Sequence, residues 1–149
     1  MIVRDARPAD VSAVHHLIGQ LADAPDETAF LARFECVLAT DDHRIIVAEV
    51  EGKVVGVLHM FERPALEKPC EAVVQALVVD SEARSSGVGE ALMREAEAWA
   101  RQRKLPSVAL YSRADRKRAH AFYERIGYRV KGTSVRMDRT LSDRGPQFW

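Results

Sequence analysis

Residues 73–100 limit what this chain can fold into more than any other stretch does. Val73-Val74-Gln75-Ala76-Leu77-Val78-Val79 is a short run dense in valine, the mark of a largely buried strand. Ten residues follow, from Asp80 to Gly89, most of them small or polar. From the end of that stretch onward Val88, Leu92, Ala96 and Trp99 recur at spacings of four, four and three, which places them on one helical face. A buried strand, a small-residue loop and a helix start make an anion site. The N–H groups of a helix's first turn have no partner inside the helix, and the dipole adds partial positive charge there. Gly87 and Gly89 let the backbone come close to a ligand.

Two familiar anion loops are excluded. A Walker-type loop needs Gly-Lys-Ser/Thr at the helix start, and here Glu90-Ala91 follows Gly89. A dinucleotide fingerprint needs a third glycine where Leu92 stands. What remains, Arg84-x-x-Gly87-x-Gly89 behind a Leu-Val-Val-Asp strand end, resembles the acetyl-CoA pyrophosphate loop of the GNAT acetyltransferase superfamily.

A second motif fits the same resemblance. Ala119-His120-Ala121-Phe122-Tyr123-Glu124-Arg125-Ile126-Gly127-Tyr128 is similar to the family's A-x-x-F-Y-x-x-x-G-F/Y signature, and it follows the next predicted strand, where the family has it. Ala119, Phe122 and Ile126 read as packing residues. Where the family commonly carries asparagine, three residues before the alanine, this chain has Arg116. Arg113, Arg116, Lys117 and Arg118 form a basic cluster, read equally as a solvated turn or as a partner for the coenzyme's 3′-phosphate.

Periodicity and turn residues give the order β-α-α-β-β-β-α-β-α-β-β from near residue 2 to near residue 141. The strands are expected near 2–6, 45–50, 54–61, 71–79, 108–111, 128–131 and 134–141. This is an α/β (α+β) chain, and the resemblance implies the GNAT acyl-CoA N-acyltransferase fold, a mixed central sheet of about seven strands with four helices. One domain over 1–149 is expected, with 142–149 as a C-terminal tail. Lys+Arg and Asp+Glu both number 22, for a net charge of +0, which argues against general nucleic-acid binding. Cys36 and Cys70 form neither a disulfide framework nor a metal pair. The start of the chain is no signal peptide and no apolar run reaches membrane-spanning length, so a cytoplasmic protein with no membrane or metal partner is expected.

The resemblance implies direct transfer of acetyl from acetyl-CoA, as cosubstrate, to a primary amine of a small molecule. A protein or peptide N-terminal acetyltransferase and a non-catalytic acyl-CoA-binding module stay open as alternatives. It implies that the pantetheine arm lies along Leu77, Val78 and Val79, where a bulge splays the strand and frees N–H groups for an oxyanion. The pyrophosphate is then expected on the backbone of Arg84, Ser85, Ser86, Gly87, Val88, Gly89 and Glu90, with Arg116 near the coenzyme and Tyr123 as the acid that protonates the departing thiolate. An alkylammonium has a pKa of about 10.4, so a base must first remove a proton. Many family members carry a glutamate where this chain has Gln75. Gln75 is therefore read as an orienting group and Glu71 as the nearest candidate base, with Asp115, His120 and a water relay as others. The acidic loop of Asp23, Asp26 and Glu27 suits a cationic acceptor. The end Phe148-Trp149 is read either as docking on the domain or as lying at an interface, in which case a homodimer is expected.

Overall fold

The computed structural model describes residues 1–141. They fall into two compact units, Met1–Leu110 and the chain from Tyr111 onward.

The first unit is built on a five-stranded sheet in the order β1 (Ile2–Asp5), β2 (His43–Val50), β3 (Lys53–Arg63), β4 (Glu71–Val79), β5 (Val108–Leu110). Neighbours are antiparallel except β4 and β5, which run parallel. The β2–β3 hairpin turns on Glu51 and Gly52, at φ 51° and 80°. That is the pair of left-handed residues a two-residue hairpin loop requires.

Helices α1 (Val11–Leu21) and α2 (Glu27–Leu38) cover one face. Val14, Leu17, Phe30 and Phe34 pack there with Ile45, Val47, Val57 and Val78. Helix α3 (Val88–Gln102) covers the other face. Gly56 shows how closely: a Cβ there would lie 2.8 Å from Val88 Cγ1 and 3.0 Å from Leu92 Cδ1. Gly56 pairs with Val79 while Val57 pairs with Val78, so alternation sets the two helix layers on opposite sides. Ile46, Leu58, Met60, Leu92 and Met93 are wholly buried in the α3 layer. Each such side chain contributes about 1.5–3 kcal/mol by leaving water.

Arg4, Asp10 and Glu49 form an ion cluster at the β1 end, with Arg4 Nη1 2.8 Å from Asp10 and Nη2 3.0 Å from Glu49. Asp10 also accepts from Arg7 N at 2.7 Å, which seats the short 3-10 turn Pro8–Asp10 ahead of α1. Cys36 and Cys70 are both free thiols.

The second unit carries α4 (Lys117–Arg125). Its end is a Schellman cap: Gly127 N donates to Glu124 O at 3.1 Å and Tyr128 N to Tyr123 O at 2.9 Å, with Gly127 at φ 105°. The strands expected at 128–131 and 134–141 do not form, so the sheet has five strands among the described residues rather than about seven. Alternation in Val135, Met137 and Leu141 marks a chain able to enter a sheet, but a strand needs a ladder partner. Here these side chains are exposed and unpaired by any strand. The aromatic pair Phe148-Trp149 lies outside the described residues.

Candidate active site

The site begins at a fault in β4. His59 pairs with Ala76 and Met60 with Val74, so Gln75 is an extra residue on β4, a β-bulge. Pairing with β5 stops at the same place: Ala72, Val73 and Val74 meet Val108, Ala109 and Leu110, and the ladder ends. From Gln75 to Val79 no strand among the described residues pairs with that side of β4. Hydrogen bonding gives the direction of the freed groups. Asp80 N donates to Val55 O at 2.8 Å, toward β3. Alternation then turns Val78 toward β3 and directs the N–H and C=O of Leu77 and Val79 to the side that β5 leaves. Gln75 itself is exposed.

The loop after β4 is held by its own polar groups. Asp80, buried, accepts from Glu82 N at 2.9 Å and starts a 3-10 turn over Ser81–Ala83. Ser81 N donates to Gln20 Oε1 at 3.1 Å, which ties the loop to the end of α1. Arg84 reaches back so that its Nε lies 3.4 Å from Val79 O. Ser86 Oγ donates to Ala83 O. Ser85 has φ 65° and Gly87 φ 85°, so the chain doubles back twice before α3 starts.

Gly87 is the N-cap of α3 and has no side chain to bond the first turn. The first intrahelical bond is Ala91 N to Gly87 O, 3.0 Å. The N–H groups of Val88, Gly89 and Glu90 therefore point out of the helix end without an intrahelical acceptor. Arg84, Ser85, Ser86 and Gly87 are exposed around them, and Val88 is buried beneath. The Glu90 carboxylate turns along the helix to Arg94, 3.3 Å away, which reduces its opposition to a bound anion.

Glu71 has a different surrounding. Its carboxylate is paired with Arg63 and lies 2.9 Å from Lys68 Nζ. Those two cations, Lys68 first, hold its pKa below the ordinary carboxylate range. A carboxylate so held takes up a proton less readily, and its two ion pairs tie down the β3–β4 connection. Asp26 of the acidic loop is likewise engaged, as the cap of α2, accepting from Ala29 N at 3.1 Å.

Sequence reading passed over a pair of histidines. His43 Nδ1 and His59 Nε2 are 2.9 Å apart, and Phe61 stacks on the His43 ring at 5.0 Å. Burial first, and His43 second, push His59 down to about 4. The turn at 51–52 alone would set His43 opposite Met60 and send the two rings to opposite faces; the register shift between Ala48 and Glu49 sets His43 opposite Phe61 and brings 43 and 59 diagonally onto one face.

In the second unit, Tyr123 is half-buried on α4, its ring 5.1 Å from Phe122 and 6.1 Å from Tyr128. Burial raises its phenol pKa, and Arg116 at the helix N-cap opposes that. Arg113 is 3.0 Å from Asp115, so part of the basic cluster is neutralised locally. Among the described residues no group of His, Cys, Asp and Glu is arranged to hold a metal ion, and no helix is long and apolar enough to cross a membrane.

A model of the acetyltransferase (GNAT) family matches residues 11–128. The chain belongs to the GNAT acetyltransferase family. It is 31% identical over 100 residues to an uncharacterized N-acetyltransferase of Methanocaldococcus jannaschii, a match over 66% of this GNAT chain and 44% of that protein. The chain thus spans less than half the length of that relative. An uncharacterized N-acetyltransferase of Bacillus subtilis is 25% identical over 116 residues, covering 77% of this chain and 82% of that one. The fold is shared with an aminoglycoside antibiotic 6′-N-acetyltransferase from Acinetobacter haemolyticus, at TM-score 0.85 and 21% identity over 95% and 100% of the two chains. It is shared too with AAC(6′)-Iy in complex with the bisubstrate analog CoA-S-monomethyl-acetylneamine, at TM-score 0.84 and 16% identity over 93% and 97%.

Proposed function

We propose that this chain transfers acetyl from acetyl-CoA directly to a primary amine of a small molecule. The observation that carries the reading is the junction of β4 and α3. There a helix start without a side-chain cap adjoins a strand that loses its β5 partner at a bulge. The diphosphate rests on the main-chain N–H groups from Arg84 to Glu90, and the pantetheine arm runs along Leu77–Val79. The N–H of Leu77 or Val79 receives the oxyanion formed at the thioester carbonyl, where a fixed donor contributes most in the transition state. Tyr123 returns a proton to the leaving thiolate. A phenol, with an ordinary pKa of about 10, is already protonated at neutral pH, and burial acts in the same direction. The aminoglycoside substrates named for its structural relatives support a cationic small amine as the acceptor class.

Acetyl-CoA is expected to raise the melting temperature where ATP and NAD do not. Thiol release across an amine panel is expected to show turnover, and Tyr123→Phe to lower kcat about a hundredfold without altering acetyl-CoA affinity. Equal protection by all three nucleotides, or by none, would overturn the cofactor assignment. Protection without thiol release on any amine would leave an acyl-CoA-binding module instead.

A further inference from the structure

The geometry points to a two-histidine proton relay, His59 and His43, that takes the proton from the acceptor ammonium at the β4 bulge. The inference rests on the acetyltransferase reading and supplies the step that Gln75 and Glu71 leave without a base.

Placement is the first argument. His59 sits directly across the ladder from Ala76, at the step where Gln75 is extra and β5 pairing ends. It is one residue along the ladder from Leu77, whose backbone faces the freed edge. His59 shares its sheet face with Ile45, its opposite residue on β2. That face is apolar under α1 and α2, where Val14, Leu17, Phe30 and Phe34 pack. The titratable and charged groups on it near the pair are few. On β3 and β4, Arg63 and Glu71 stand opposite each other one same-face pair beyond Phe61 and Val73, and with Lys68 they form a cluster of two cations on one carboxylate, positive on balance. His43 is the group on β2.

The hydrogen bond is the second argument. Two neutral imidazoles joined Nδ1 to Nε2 share one proton, so one outer nitrogen, His59 Nδ1 or His43 Nε2, keeps its lone pair and the other carries N–H. A proton added at the first outer nitrogen shifts the shared proton to the other ring, and a proton leaves from the far side. Burial keeps the charged form of His59 short-lived, which suits a conductor rather than a reservoir.

The step balances. A water beside Gln75 carries one proton from R–NH3+ to the unprotonated outer nitrogen, and the pair releases one to solvent. The amine lone pair then forms the C–N bond while the carbonyl becomes an oxyanion. On collapse the C–S bond breaks, the nitrogen loses its surplus proton to water, and the thiolate gains one from Tyr123, which is reprotonated by solvent. Ammonium plus thioester give amide, thiol and one proton.

The test compares His59→Gln and His43→Gln with wild type, using acetyl-CoA and an amine that wild type acetylates. Both variants are expected to keep the acetyl-CoA thermal shift and to lose about a hundredfold in kcat/KM at pH 7. The loss should shrink about tenfold per pH unit toward the amine pKa of about 10, where the substrate deprotonates unaided. Added imidazole should restore turnover to His59→Ala. A loss equal at every pH and indifferent to imidazole, or wild-type rates in both variants, overturns the relay and leaves the acetyltransferase reading standing. Wild type that binds acetyl-CoA yet acetylates no amine removes that reading and the relay with it.

Discussion

Helices α2 and α3 both follow a polar loop, and both leave first-turn N–H groups without partners inside the helix. They resolve this in opposite ways. At α2 the chain supplies its own anion, since the Asp26 carboxylate accepts from Ala29 N. Asp10, ahead of α1, makes no cap bond to that helix and is committed instead to Arg4 and to Arg7 N. At α3 the cap is Gly87, with no side chain and a left-handed backbone, and the N–H groups of Val88, Gly89 and Glu90 are left facing out. A helix start closed by its own aspartate contributes to stability. One left bare at a glycine gives up that side-chain bond, at a cost of roughly a few tenths of a kcal/mol, and keeps its charge for a ligand.

The contrast is broken most sharply by giving α3 the cap it lacks. Gly87→Asp should weaken acetyl-CoA binding at least a hundredfold by calorimetry, because the new carboxylate takes the N–H groups and repels the diphosphate. Melting should change far less, by about 1 kcal/mol at most, since no heavy atom lies within 4 Å of a Cβ at that position and only the positive φ resists the substitution.

Removing a committed aspartate should act in the opposite sense. Asp10→Asn should cost about 2 kcal/mol in denaturant unfolding, since it leaves Arg4 with one partner fewer in a half-dry cluster. Acid dependence sharpens this. Asp10 is held below its ordinary 3.8, chiefly by its hydrogen bond to Arg4. Its stabilisation is therefore complete above that value and is lost as pH falls through the lower folded one. Wild type should lose stability over that range, and Asp10→Asn should lose less. The smallest effect belongs to Asp26→Ala, about 1 kcal/mol of stability with acetyl-CoA binding unchanged. A loss of acetyl-CoA affinity in Asp26→Ala would erase the distinction between the two helix starts.

Much of this was legible in the residues. The valine run, the two glycines and the periodic face of α3 mark strand, turn and helix, and the structure has β4 and α3 within a residue or two of those bounds. The Glu51-Gly52 turn and the α4 stop at Gly127 were readable for the same reason, since positive φ selects glycine and its neighbours. The late strands misled because alternation reports the ability to pair and says nothing of a partner. The ion pairs of Glu71 were not legible, because Arg63 and Lys68 reach it across a loop that sequence does not fold.

Local sequence, then, determined the elements that depend on near neighbours: helix faces, turns, the uncapped start of α3 and the family signatures. Tertiary structure alone decided where β4 bulges, where β5 stops pairing and which histidines meet. Those are properties of register between strands far apart in the chain. One extra residue at Gln75 reverses which backbone groups face the freed edge, and no local propensity records that.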